Sequence, residues 1–235
     1  MMGETVNMLE TVAAAFDDWL NQVVFIGGAT LGLFASTPGA GTRRPTQDID
    51  CLVNAPGRAF LYEWDQHLPK RGFVKLDPAA QPAFFWRYEG IQVHLLPPYP
   101  EMLGFENRWF EEGLFHATYH RLPSGRRIRT FTPVYFLATK LEALCHRGWD
   151  DLRSSEDFED ILFLIENRPE LSHEIQQAFH EVRSYVQKRL QDLLHHADWE
   201  EGLHWALAHE ANSARVSRLM ESMRSLAEGG TMPTP

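Results

Sequence analysis

Asp48 and Asp50 stand at i and i+2 in the run QDIDCLV. On a strand, side chains two apart point to the same side, so both carboxylates can share one hard cation such as Mg²⁺. Upstream, Gly27-Gly28 interrupts the apolar run QVVFI just before a helical pattern. Backbone N–H groups at such a break, with no side chain in the way, hold phosphate oxygens. A cation held by paired carboxylates bridges phosphates and stabilises an attacking and a leaving oxygen. Taken singly, Gly-Gly reads as a turn and Asp-x-Asp as a solvated edge. Their order, strand then break then helix then strand, points to phosphate chemistry on a nucleotide.

The elements that must position these groups follow from periodicity. Val6, Leu9, Val12, Ala13, Phe16 and Leu20 recur at helical spacing, so the chain opens with an amphipathic helix. Residues 22–26 read as a short buried strand, 29–35 as a helix, and 36–45 as a loop rich in Gly, Pro, Thr and Arg. Residues 47–53 form the next strand, with Ile49, Cys51 and Val53 facing away from the two aspartates. A helix over 57–71 and an edge strand over 73–76 follow. Strands over 84–88 and 91–96 flank Glu89-Gly90, a two-residue hairpin loop. A second hairpin spans 115–131 and turns at Pro123-Ser124-Gly125. Helices run from Pro133 through Cys145 and over 154–167, and the pattern beyond Pro169 is helical throughout. The predicted class is α+β, a mixed β-sheet flanked by helices with a helical C-terminal region. The expected divisions are a core over 1–168, helices over 169–228 and a disordered tail over 229–235.

Composition narrows the function. The 235 residues carry a net charge of −10 and a pI near 5.5, with 44% hydrophobic and 23% charged residues. That is ordinary for a globular chain with a sizeable core, and it argues against a surface coated with positive charge for long nucleic acids. A small basic cleft stays compatible. Only four of the 22 basic residues are lysines, which favours bidentate anion contacts. Cys51 and Cys145 have no CxxC spacing, no secretory signal is visible, and no apolar run approaches a bilayer span. The expectation is a cytoplasmic protein with no membrane partner.

The runs FIGGATLGLF and RRPTQDIDCLV resemble the nucleotidyltransferase superfamily of the DNA polymerase β type, and more narrowly the AbiEii/AbiGii-type toxin nucleotidyltransferases. The likeness continues in GFENRWF (104–110), RLPSGRRIRTFTPVYFLATKLEAL (121–144) and DLRSSEDFEDILFLIENR (151–168), so it covers most of residues 22–168. The resemblance implies transfer of a nucleoside monophosphate from an NTP to an acceptor hydroxyl, with release of pyrophosphate and Mg²⁺ as cofactor. By the same likeness tRNA is a candidate acceptor, a cognate antitoxin is the expected partner, and toxicity or phage defence is the setting. Carried over by position, Gly27, Gly28, Thr30 and Arg44 would bind the nucleotide, and Asp48 and Asp50 the metal. Lys140 would reach the phosphates, and Asp157, more than Asp160, would be the later acid.

Two features depart from that pattern: the gap from Gly28 to Asp48 is longer than the superfamily's usual glycine-to-DxD spacing, which the narrower subfamily tolerates, and a later acid is replaced. The family places a third carboxylate in a segment like GIxVDLLP, and this chain reads GIQVHLLPP, with His94 in that place. Val93 and Leu95 flank it on the opposite face, so His94 shares a polar face with Gln92. Three readings stay open. His94 can act as general base toward the acceptor hydroxyl, or it can shift the metal preference from Mg²⁺ toward Mn²⁺. The third is a degenerate or deliberately disabled site, leaving a non-catalytic nucleotide-binding protein. Elsewhere, His116 and His120 have HxxxH spacing on a stretch that reads as strand, which argues against zinc. Arg43, Arg44 and the arginines at 121, 126, 127 and 129 can form a basic strip, or simply decorate a solvated hairpin. Trp109 reads better as core than as a stacking platform.

Overall fold

The computed structural model describes residues 2–37, 46–53, 58–76, 84–98, 107–207 and 213–232. These divide into two compact units. The first comprises Met1–Leu33, Arg43–Glu106 and Phe110–Thr132, and the second Phe34–Thr42, Asn107–Trp109 and Pro133–Pro235. The helices over 133–167, placed with the core by sequence, thus cluster with the later helices.

In the first unit, α1 (Met2–Phe16) leads through a 3₁₀ turn to β1 (Val23–Ile26). After Gly27 a 3₁₀ turn runs directly into α2 (Leu31–Phe34), whose last residue clusters with the second unit. Then come β2 (Asp48–Val53), α3 (Arg58–His67), β3 (Val74–Lys75), β4 (Phe85–Tyr88) and β5 (Ile91–Leu96). A short α4 (Phe110–Phe115) precedes the hairpin of β6 (Thr118–Arg121) and β7 (Arg127–Thr130). The seven strands form one mixed sheet in the order β3-β4-β5-β2-β1-β7-β6. β2 is antiparallel to β1 and parallel to β5, and β7 is parallel to β1.

Burial on one side of this sheet explains the alternation. Phe25, Ile49, Cys51, Val53, Val93 and Ile128 are fully buried in one cluster with Leu9, Val12 and Phe16 of α1 and Trp64 of α3. Phe16 is its hub, with rings of Phe73, Trp64 and Phe25 at 5.4, 5.8 and 6.1 Å. The tight hairpin between β4 and β5 forms as expected. Glu89 and Gly90 both have positive φ (47° and 84°), the type I′ geometry that matches the twist of the strands it joins.

The second unit is helical: α5 (Pro133–Arg147), α6 (Glu156–Asn167), α7 (Leu171–Gln177), α8 (His180–Leu194), α9 (Trp199–Ala206) and α10 (Ser213–Glu228). Pro133 opens α5, where its missing N–H costs nothing. Ser155 caps α6 by accepting the Phe158 N–H at 3.3 Å. α5 packs on α6 and α8, and α8 on α10, through residues such as Leu141, Leu144, Ile161, Val186 and Met223, all buried. Among the described residues, no helix is long and apolar enough to cross a membrane.

Candidate metal centre

β2 begins at Asp48, and its alternation sends Ile49 and Cys51 to the core and Asp48 and Asp50 to the other side of the sheet. Two neighbours then complete the site. In the parallel ladder with β5, Asp50 stands beside His94. In the antiparallel ladder with β1, Asp50 stands beside Ile26, so Gly27 comes next to it. Residues 27, 50 and 94, far apart in sequence, meet because β2 lies between β1 and β5.

His94 Nδ1 is 2.8 Å from Asp50 Oδ1 and 3.7 Å from Asp48 Oδ2. Because a carboxylate only accepts, the short contact is an Nδ1–H donating to Asp50. β4 fixes the imidazole from the far side. Phe85 is paired with His94 across the hairpin, and its ring stacks at 3.8 Å and 18°. Asp48 Oδ1 accepts from the Thr46 hydroxyl at 3.0 Å. His94 Nε2 is buried and has no hydrogen-bond partner among the described residues. Only the Nδ1 edge of the ring therefore faces the carboxylates, and Nε2 is not placed to take a proton from a substrate in solvent.

Asp48, Asp50 and His94 each offer one ligand atom within 4.8 Å of the others. Adjacent ligands of an octahedral ion with bonds of ~2.1 Å lie ~3 Å apart, so the 2.8 Å pair fits a shared ion and Asp48 needs only a small shift. Two carboxylates and an imidazole could hold a divalent cation, and side-chain exposures of 39% and 27% at Asp48 and Asp50 leave it open to solvent.

The glycine break is shaped by the same carboxylate. Gly27 has φ 68°, which disfavours any side chain, and a Cβ there would lie 2.4 Å from Asp50 Oδ2. Its carbonyl accepts from the Thr30 N–H (3.1 Å) and hydroxyl (2.9 Å). Thr30, which is buried, thus pins the turn that begins with Gly28. Arg44, with Arg43, lies outside the described residues. Cys51 points into the core, where burial and then the nearby Asp50 charge push its thiol well up, so it stays neutral.

Lys140 and Asp157 come together in the second unit. The Lys140 ammonium meets Asp157 Oδ1 at 2.9 Å and Asp160 Oδ2 at 2.7 Å, and Arg147 grips Asp157 through Nε (2.7 Å) and Nη2 (3.0 Å). All three residues of the core pair-and-acid are buried. Burial alone would lower the Lys140 pKa, but Asp160 and Asp157 outweigh it and raise it. Burial would raise Asp157, and Arg147 with Lys140 brings it below the ordinary carboxylate range. Trp109 is buried and packs on Tyr185 at 4.9 Å, and His120, on β6, belongs to no group of three or more metal-ligating side chains among the described residues. Sequence reasoning missed Phe85 and Thr46. The Glu89-Gly90 loop alone could have found Phe85, since a two-residue hairpin dictates which residue faces His94.

Two outcomes follow from this geometry. Gly27→Ala should cost about 1–3 kcal/mol of stability through its strained backbone while keeping the fold, because the added Cβ meets only the Asp50 side chain. It should displace Asp50 and weaken divalent-cation binding at least tenfold by calorimetry; unchanged binding would mean that the glycine does not shape the site. Lys140→Met should lower unfolding stability by about 3–5 kcal/mol, since it removes the ammonium that bridges two buried carboxylates. Asp157 stabilises above the ordinary carboxylate pKa and loses this as pH falls through its lowered folded value. Lys140 stabilises below ~10.4 and loses this as pH rises through its raised one. The difference between wild type and Lys140→Met in urea unfolding should therefore be largest between about pH 5 and 9 and shrink on both sides. Set beside known proteins, the chain matches no protein-family model and no curated protein.

Proposed function

We propose that the chain is a metal-dependent nucleotidyltransferase that moves a nucleoside monophosphate from an NTP to an acceptor hydroxyl. The observation that carries this reading is the convergence of Asp48, Asp50 and the Nδ1 edge of His94 beside a glycine break that only glycine can occupy. Carboxylates alone occur on many surfaces. A carboxylate pressed against a turn with no Cβ is held in place beside the other two ligand atoms.

In this reading Asp48 and Asp50 hold the cation, Thr46 orients Asp48, and Phe85 holds the His94 ring so that Nδ1 can ligate once its proton is lost. The bound ion would supply charge neutralisation for the triphosphate and for pyrophosphate as it leaves. Gly27 and Gly28 let the phosphates approach the backbone. The acceptor oxygen bonds to the α-phosphorus, the bond to the bridging α–β oxygen breaks, and the acceptor proton passes to solvent or a carboxylate. An imidazole among two carboxylates suits Mn²⁺ better than Mg²⁺. An RNA such as tRNA is the proposed acceptor, with an antitoxin as partner in a defence setting. Lys140 and Asp157 act here as an internal ion pair of the helical unit.

The second reading, nucleotide binding without turnover, is favoured by the 2.8 Å His94–Asp50 contact, in which the imidazole N–H satisfies a carboxylate that a cation would otherwise occupy. The experiment that separates them incubates the protein with each labelled NTP, bulk tRNA, and Mg²⁺ or Mn²⁺, beside His94→Asp and Asp50→Asn. Label entering RNA with the wild-type chain, faster in Mn²⁺ and lost at least a hundredfold in Asp50→Asn, is the expected result. Incorporation only by His94→Asp would establish the disabled reading. Nucleotide binding with no incorporation by either protein would leave binding alone.

A further inference from the structure

Away from the Asp48 cluster, the β6–β7 hairpin has a surface that folding does not account for. Between Gly113 and Phe131 the chain holds four arginines and no Asp or Glu, within a protein of net charge −10. The hairpin register sets Tyr119 opposite Arg129 and Arg121 opposite Arg127. Facing residues, and residues two apart, share a side, so these four form one patch. The reverse side carries Ile128 and Thr130, both fully buried.

On the patch, Tyr119 is 52% exposed, and Arg121 and Arg127 are exposed. The Arg127 guanidinium lies 4.3 Å from the centre of the Tyr119 ring. Arg129 is half-buried and donates to the Leu114 carbonyl at 3.0 Å. Phe115, just before β6, is 81% exposed. Among the described residues none of these arginines has a carboxylate partner. Glu10 meets the hairpin at its turn, where it accepts from the Ser124 N–H at 2.7 Å and hydroxyl at 2.5 Å. Like charges facing each other across a ladder are destabilising. An anion seated between Arg121 and Arg127 removes that cost.

The patch also has a place relative to the candidate metal centre. Thr130 stands beside Phe25, and Phe25 beside Cys51, on the buried side of the sheet. Arg129 and Asp50, each one residue away, therefore lie on the other side together. With strands ~4.8 Å apart, the patch begins on the order of 10–15 Å from Asp50.

We propose that this face of the hairpin is a docking strip for single-stranded nucleic acid, with the guanidiniums on successive phosphates and Tyr119 under a base. An acidic peptide would answer the arginines but would leave the exposed Tyr119 and Phe115 without a role. A nucleic-acid strand offers both phosphates and flat faces that stack on aromatic rings and guanidinium planes. The inference rests on and deepens the nucleotidyl-transfer reading, because the patch lies on the side of the sheet that carries Asp50, with the buried Val24, Ile26 and Leu52 between them. Strand binding itself needs no turnover.

The test is fluorescence anisotropy of a labelled RNA of about 12 nucleotides, titrated with the full chain without NTP at several salt concentrations. Arg121→Gln/Arg127→Gln should weaken binding about tenfold and reduce the salt slope by ~1.4, the loss of two phosphate contacts on a single strand. Tyr119→Ala should weaken binding roughly 5- to 100-fold with the slope unchanged, and Tyr119→Phe should bind as wild type. Matched thermal melts check that each variant folds. Unchanged affinity in both the arginine pair and Tyr119→Ala would overturn the proposal. So would displacement of the RNA by poly-glutamate at equal charge, which would assign the patch to an acidic protein. Patch-dependent RNA binding with no label transfer would sink the transferase reading alone. Label transfer with patch variants behaving as wild type would sink this inference alone.

Discussion

The register of β2 between its two neighbours is the constraint on which the rest depends. Antiparallel pairing with β1 brings Gly27 against Asp50, and parallel pairing with β5 brings His94 to the same carboxylate. Because side chains alternate, a slip of one residue would send both aspartates into a core built of Phe25, Ile49 and Cys51. The hydrophobic side of the strand therefore enforces the chemistry of the other side. Phe16, Trp64 and their neighbours hold that register from the opposite side of the sheet.

The chain handles its buried and half-buried acids in two different ways. In the helical unit Asp157 and Asp160 are matched by Lys140 and Arg147, and Glu142 accepts from Tyr185 and from Arg108 at 3.1 Å. Asp48 and Asp50 stand differently, partly exposed, sharing one imidazole edge beside a backbone turn. Two partly exposed carboxylates that share a ligand nitrogen suit an external cation, and an external anion can then follow the cation. The same contrast separates Arg121 and Arg127, which are exposed, from Arg147 and Arg168, which grip acids of the helical unit.

Much of this was legible in the sequence, for reasons specific to each element. The alternation in DIDCLV told which side each aspartate takes, and Glu89-Gly90 announced the hairpin that places Phe85. The amphipathic spacing of α1 and the Pro133 start of α5 were likewise plain. The sequence placed His94 on a polar face, but not its orientation. That Nδ1 faces the acids while Nε2 is buried depends on a stacked ring from another strand. Nor could it reveal that Lys140 is buried between Asp157 and Asp160, since a lysine on a helix looks the same whether it faces water or two carboxylates of a neighbouring helix. Periodicity reports which side of an element is apolar, and partners across elements are set by packing.

The most direct measurement is electron paramagnetic resonance of the protein titrated with Mn²⁺, with electron spin echo detection of coupled nitrogen. A single bound Mn²⁺ per chain, lost in Asp50→Asn and carrying a nitrogen coupling that disappears in His94→Asp while the ion stays bound, is the expected result. Mn²⁺ binding that survives in Asp50→Asn, or a spectrum unaltered by His94→Asp, would contradict the central claim that Asp48, Asp50 and His94 together form a metal centre.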